Sequence, residues 1–193
     1  SAAVGPIANV NDAPTGAPVV TGTPTEDQVL GVNTASIADA DGLGTFSYQW
    51  QRNGSNIVGA TGATYTLGDA DVGTNIRVVV SYTDGQGTPE NLTSAAVGPI
   101  ANINDAPTGA PVVTGTPTED QVLGIDTSSI ADADGLGTFS YQWQRNGSNI
   151  VGATGSTYTL GDADVGTSVR VVVSYTDGQG THRNLAGLGE GAR

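Results

Sequence analysis

The sequence predicts an all-β protein of two tandem β-sandwich modules, each with about seven strands. Two observations support this prediction: the chain repeats itself, and each copy consists of short strand patterns separated by glycine, proline, asparagine and aspartate. Trp50 returns as Trp143, an offset of 93 positions (143 minus 50). The same register holds as far as Thr88 and Thr181, and the two copies diverge after that point.

The proline-containing stretches NDAPTGAP, at residues 11–18 and 104–111, indicate where one module ends and the next begins. A proline restricts the residue before it to extended conformations, so each stretch is expected to be a taut connector. Three segments are therefore predicted. They are the last strand of a truncated preceding module at residues 1–11, a first repeat at residues 12–104, and a second repeat at residues 105–193 with a diverged C-terminal strand.

The two longest strands of a module show the alternation of a half-buried strand. FSYQWQRNG places Phe46, Tyr48 and Trp50 on one face, and Asn53-Gly54 is the dipeptide typical of a tight hairpin turn. TNIRVVVSYTDG in the same way directs four side chains to one face: Ile76, Val78, Val80 and Tyr82. Both segments are therefore predicted to pack one face against a core.

Shorter strands are predicted at PVVTGTP, QVLGVNT, SNIVGA, ATYTLG and NLTSAAVGPI, which begin at residues 18, 28, 55, 63 and 91. No stretch shows the 3.6-residue period of an amphipathic helix. Seven short strands with one tryptophan on the third predict an immunoglobulin-like sandwich.

Composition limits the possible partners and the possible sources of stability. The formal net charge is -13 and the chain contains no lysine, so we expect no nucleic-acid binding and no membrane insertion. Cysteine is absent, which excludes disulfides and thiolate metal sites. Stability must come from packing or from ions bound by hard oxygen ligands such as carboxylates, which calcium prefers.

The stretch SIADADGLG, at residues 36–44 and again at 129–137, has two possible roles. An aspartate beside a glycine commonly caps a turn, because its side chain accepts a hydrogen bond from its own backbone. The same D-x-D spacing on an extended loop can aim two carboxylates at one cation. The sequence leaves both roles open.

In a tandem of such sandwiches, carboxylate-bearing loops of neighbouring modules are expected to meet at the junction. About six carboxylates at one junction would repel one another strongly unless cations lay between them. Calcium accepts six to eight oxygens in flexible geometry. We therefore predict a junction calcium site with the ligands Glu26, Asp69, Asp71, Asn104, Asp105, Asp132 and Asp134. Weak binding or none is expected of the N-terminal counterparts, Asp12, Asp39 and Asp41.

The residues at this junction resemble the calcium-binding linkers of cadherin repeats. The similar features are NINDAP at residues 102–107, the D-x-D of Asp132 and Asp134, an early glutamate (Glu119 or Glu26), and the pair Asp69 and Asp71. The stretches DADGLGTFSYQWQRNG and VSYTDGQGT are similar to cadherin-like or immunoglobulin-like tandem repeats of giant bacterial surface adhesins and RTX-type secreted proteins. This resemblance implies a secreted or cell-surface stalk that calcium stiffens, in which each repeat contacts neighbouring repeats of the same chain.

The functional expectation is a structural extender repeat, and the alternative is a carbohydrate- or cell-binding module of the same fold. We predict no enzymatic activity. The single histidine, His182, lies in the diverged tail, and no cysteine or lysine is present to act as a nucleophile. A spacer fits two nearly identical copies better than a ligand-binding domain does.

The diverged end of the second copy suggests one further interaction. The second module is expected to lack a proper final strand, while residues 1–10 (SAAVGPIANV) are a spare copy of that strand. Two outcomes follow: residues 1–10 of one molecule add to an open sheet edge of another in head-to-tail self-association, or the tail LAGLGEGAR simply pairs poorly and frays.

Overall fold

The chain divides into two compact units, Ser1–Ile103 and Asn104–Arg193. The computed structural model describes residues 3–187. Both units are all-β with antiparallel sheets, and the helical turns among the described residues are two short 3-10 turns, Asp69–Asp71 and Asp162–Asp164.

The first unit contains seven strands: β1 (Val19–Thr21), β2 (Val29–Asn33), β3 (Ser47–Arg52), β4 (Ser55–Asn56), β5 (Thr64–Thr66), β6 (Ile76–Thr83) and β7 (Pro89–Thr93). They form a three-stranded sheet in the order β1-β2-β5 and a four-stranded sheet in the order β4-β3-β6-β7.

The second unit repeats this arrangement with β8 (Val112–Thr114), β9 (Val122–Asp126), β10 (Ser140–Arg145), β11 (Ser148–Asn149), β12 (Thr157–Thr159), β13 (Val169–Thr176) and β14 (His182–Gly187). Its sheets have the orders β8-β9-β12 and β11-β10-β13-β14. The pairing of β10 with β13 has the register of β3 with β6, so the two copies fold alike.

The alternation predicted for β6 is confirmed, since every second side chain from Ile76 to Tyr82 is buried. The predicted hairpin turn is also confirmed: Asn53 and Gly54 both have positive φ, at 47° and 86°. Two successive positive φ values define the turn whose twist matches that of paired strands.

Side chains from the two sheets of the first unit pack into one core. Leu30 of β2, Trp50 of β3 and Val78 of β6 are each 0% exposed and belong to the same cluster. Trp143 occupies the same place in the core of the second unit. Two antiparallel sheets that share an apolar core are consistent with a β-sandwich.

The final strand of each unit differs from the expectation. In the first unit, β7 ends at Thr93, and the chain beyond it makes only isolated bridges, at Val97, Ile100 and Ala101. Pro99 interrupts that segment, and a proline has no N–H to donate to a ladder.

The expectation that the second unit lacks a proper final strand is wrong for His182–Gly187, which pair with β13 along all six residues. HRNLAG alternates as a strand does: Leu185 packs against the core, while His182, Asn184 and Ala186 are exposed. The remainder of the diverged tail, residues 188–193, lies outside the described residues. Self-association through residues 1–10 stays a prediction.

Candidate metal centre

In the first unit, acidic side chains from three segments meet beside the start of β7. Asp39 and Asp41 lie in the loop between β2 and β3, Asp84 begins the β6–β7 turn, and Glu90 is the second residue of β7. The segment before β1 joins them, because the backbone N–H of Asp12 donates to Asp41 Oδ2 over 2.7 Å.

The D-x-D loop forms a capped turn. Asp39 Oδ1 accepts a hydrogen bond from the backbone N–H of Asp41 over 2.9 Å, as an aspartate does in an Asx turn. Gly44 lies so close to β6 that a Cβ atom there would be 2.0 Å from the carbonyl oxygen of Thr83, so only glycine fits. The loop backbone is therefore fixed against the sheet.

The second oxygen of Asp39, Oδ2, accepts a hydrogen bond from the hydroxyl of Tyr82 over 2.6 Å. Burial, and secondly this hydrogen bond to a carboxylate, raise the pKa of Tyr82 well above its ordinary value. Tyr82 is therefore a fixed donor that orients Asp39.

Asp84 is 6% exposed, and its two oxygens have different surroundings. Oδ1 accepts the backbone N–H groups of Gln86 and Thr88, each over 2.8 Å. Burial opposes ionisation, but these backbone hydrogen bonds outweigh it and lower the pKa of Asp84. Oδ2 is buried and has no hydrogen-bond partner among the described residues.

Asp39, Asp84 and Glu90 each offer one carboxylate oxygen, and these three oxygens lie within 4.8 Å of one another. Glu90 Oε1 also accepts a hydrogen bond from the side-chain amide of Asn11 over 3.1 Å. Three carboxylates at this separation could hold a metal ion, since hard cations take several carboxylate oxygens at once.

The second unit has a related cluster, in which Asp132, Asp134 and Asp177 bring their oxygens within 4.8 Å of one another, with Asp134 in place of a carboxylate at the position of Glu90. The residue at the position of Glu90 is Arg183, whose Nε donates to Asp177 Oδ2 over 3.2 Å. The guanidinium also lies 3.6 Å from Asp132 Oδ2 and 3.7 Å from Asp134 Oδ2. Oδ2 of Asp177 therefore has a hydrogen-bond partner. The equivalent atom of the first unit, Asp84 Oδ2, has none among the described residues.

Arg183 has two further contacts with the segment before β8. One terminal nitrogen donates to Asn104 Oδ1 over 2.8 Å and to the carbonyl oxygen of Asp105. Asp105 in turn donates its backbone N–H to Asp134 Oδ2 over 2.7 Å. Arg183 thus joins four of the residues named as ligands from the sequence: Asn104, Asp105, Asp132 and Asp134.

The remaining predicted ligands belong to the first unit. Glu26 is 2% exposed, and its Oε2 accepts the backbone N–H of Ile103 over 3.1 Å. Asp69 is exposed at the start of its 3-10 turn. Binding of one calcium ion by these residues together with those of the second unit stays a prediction.

Asp71 is held by a buried ion pair. It is 1% exposed, and its Oδ1 accepts Arg52 Nε over 2.7 Å, while Oδ2 accepts the Tyr65 hydroxyl over 2.8 Å and the backbone N–H of Gly68 over 3.0 Å. The second unit has the same arrangement around Asp164. Both carboxylates have a clear structural role, tying a loop to the four-stranded sheet.

The sequence reasoning did not name Asp84, Glu90, Asp177 or Arg183 as site residues. The sequence does contain a signal for one pair: Glu90 and Arg183 occupy equivalent positions of the two copies and carry opposite charges. Comparing the charges of the two copies position by position would have singled out this pair.

No protein-family model and no curated protein matches the chain. Among residues 3–187, the structure contains no helix long and apolar enough to cross a membrane. The fold and the acidic clusters are therefore the features from which a function can be inferred.

Proposed function

We propose that this chain is a structural extender segment of a secreted or cell-surface bacterial adhesin, stiffened by calcium at its module junctions. The observation that carries the proposal is the duplication of one fold with its acidic loops, in two units with the same strand order and register. Repeats of this kind set the length and stiffness of an array.

The strand order supports an immunoglobulin-like type of sandwich. The sheets β1-β2-β5 and β4-β3-β6-β7 correspond to an A-B-E sheet facing a C′-C-F-G sheet, with the tryptophan on the third strand. Loops at the ends of such sandwiches are well placed to meet the next module in an array.

Calcium is favoured by the chemistry of the side chains. The acidic clusters offer only hard oxygen ligands, and the chain has no cysteine and a net charge of -13. Of the ligands predicted at the junction, Asn104, Asp132 and Asp134 already contact Arg183, so the proposal rests mainly on Glu26, Asp69 and Asp105. Asp71 already accepts hydrogen bonds from Arg52, Tyr65 and Gly68, so its substitution would report on folding as well as on calcium.

Small-angle X-ray scattering of the full chain tests stiffening. We expect the ensemble of inter-module distances fitted to the scattering to be narrower in calcium than in EDTA at the same ionic strength. The response should be weaker in Asp69→Asn, whose side chain is exposed. The matched control is Asp126→Asn, which also removes one negative charge and restores the asparagine that the first repeat has at position 33. Identical scattering in calcium and EDTA would contradict the proposal.

The alternative, a carbohydrate-binding module, calls for exposed aromatic rings on which sugars can stack. The large hydrophobic side chains exposed among the described residues are all aliphatic, and Tyr82 and Trp50 are buried. A glycan array is expected to give no binding above background, and a specific glycan signal would favour the alternative.

A further inference from the structure

The two repeats differ in charge at one position that the fold places beside the acidic loops. Glu90 and Arg183 are the second residues of β7 and β14, at an offset of 93 positions (183 minus 90). The strands before them have the same register, so the two side chains start from equivalent points of the backbone.

In the second unit this position supplies a cation. The guanidinium of Arg183 is surrounded by five oxygen-bearing residues, namely Asp132, Asp134, Asp177, Asn104 and the carbonyl of Asp105. Its side chain is 13% exposed, so the positive charge is largely shielded from water. A buried cation among carboxylates balances charges that would otherwise repel one another.

In the first unit the equivalent carboxylates, Asp39, Asp41 and Asp84, are present, and a fourth carboxylate, Glu90, stands where the second unit has the guanidinium. Asp84 Oδ2, the counterpart of the oxygen that accepts Arg183 Nε, is buried without a hydrogen-bond partner. Asp41, the counterpart of Asp134, is half-buried, whereas Asp134 is 7% exposed beneath Arg183. A buried anionic oxygen without a partner is costly, and the carboxylate of Asp84 has an oxygen within 4.8 Å of oxygens of Asp39 and Glu90.

We propose that the first unit binds one divalent cation of the calcium type through Asp39, Asp84 and Glu90, and that Arg183 fills the same place in the second unit. Three carboxylates call for a divalent ion, and oxygen-only ligands call for a hard one. The inference goes beyond the junction site, because all three ligands belong to one unit, and it departs from the weak binding that the sequence led us to expect of Asp39. Its choice of calcium as the ion rests on the proposed function.

Isothermal titration of calcium into the metal-stripped full chain tests this site. Glu90→Arg gives the first unit the side chain of the second and is expected to remove one bound calcium ion per chain. Arg183→Glu makes the opposite change and is expected to add one. Asp126→Asn is the control for the loss of a single exposed charge and is expected to bind as the wild type does.

Folding is monitored separately, by the fluorescence of Trp50 and Trp143, one buried in each unit. Glu90→Gln is a second variant, because it keeps the shape of the side chain and removes its charge. Its calcium affinity is expected to fall at least about tenfold in the first unit, since one charged ligand is lost.

Unchanged stoichiometry and affinity in a folded Glu90→Arg variant would overturn the cation site. An unchanged count in a folded Arg183→Glu variant would overturn the role assigned to Arg183. These outcomes are distinct from failure of the proposed function. A scattering change in calcium together with unchanged calcium binding in Glu90→Arg supports the stalk and overturns this site, whereas loss of binding in Glu90→Arg without any scattering response in the wild type supports the site and overturns stiffening.

Discussion

The first and second units share strands, register and core, yet the same group of loops is held together in two different ways. In the second unit Arg183 donates to Asp177 and lies against Asp132 and Asp134. In the first unit Glu90 adds a negative charge to Asp39 and Asp84. One position therefore supplies a positive charge to the acidic loops of the second unit and a further negative charge to those of the first.

The largest effect is expected from removing the internal cation. Arg183→Ala should lower the free energy of unfolding of the second unit in EDTA by about 3–5 kcal/mol, because three carboxylates lose their shared partner. Urea denaturation of Trp50→Phe chains, in which Trp143 is the single tryptophan, measures this unit. The matched variant Glu90→Ala should not destabilise the first unit in EDTA. Equal losses from both variants would contradict the comparison.

Calcium should act mainly on the first unit. At about 100 times its dissociation constant, a ligand that binds only the native state adds about 2.7 kcal/mol. Thermal unfolding of Trp143→Phe chains, which reports on Trp50, should show this stabilisation in wild type. In Glu90→Arg the stability in EDTA should already be high and should respond little to calcium. A calcium response of the same size in both backgrounds would argue that the ion acts elsewhere.

Where the two units are alike, matched substitutions should lower the free energy of unfolding by the same amount. Tyr65→Phe and Tyr158→Phe each remove a hydroxyl that donates over 2.8 Å to a buried carboxylate, Asp71 or Asp164. Each should lower the free energy of unfolding of its own unit by about 1–2 kcal/mol. Single-tryptophan denaturation curves check this, and unequal losses would show that the units differ away from position 90 as well.

The smallest expected effect is a loss of stability of the second unit at acid pH. Burial disfavours the charge of Asp164, but Arg145, the backbone of Gly161 and Tyr158 outweigh burial and lower its pKa below the ordinary value of 3.8. The folded state therefore binds this proton less readily than the unfolded chain does. The resulting stability is complete above the ordinary value and is lost as pH falls below it. The urea concentration at the midpoint of unfolding, measured from about pH 6 to about pH 2, should therefore fall less steeply with decreasing pH in Asp164→Asn than in the wild type.

Local patterns in the sequence were enough to predict most of the strands, though not the end of β7 or the existence of β14. The alternation of β6 and the Asn53-Gly54 turn depend on neighbouring residues, and both are confirmed. Asp39 does cap its own turn, as the simpler reading of SIADADGLG holds, and one of its oxygens also lies within 4.8 Å of oxygens of Asp84 and Glu90. The two readings of that stretch are therefore compatible.

The partners of the charged groups could not be read from local patterns, because the fold brings them from distant positions. Arg183 donates to Asn104 across 79 positions, and Arg52 reaches Asp71 across 19. In the sequence, Arg183 lies in a stretch that departs from the first copy, which made it look like an incidental change. Its importance depends on the register of β14 against β13, which only the structure gives.

The guanidinium of Arg183 acts as a covalently attached counterion. Its local concentration is set by the covalent chain and does not follow the medium, whereas an ion bound beside Glu90 would be gained and lost with the calcium supply. A filament that alternated the two kinds of repeat would soften in steps when calcium is withdrawn. Its arginine-bearing repeats would stay ordered, and the other repeats could bind calcium again when it returned.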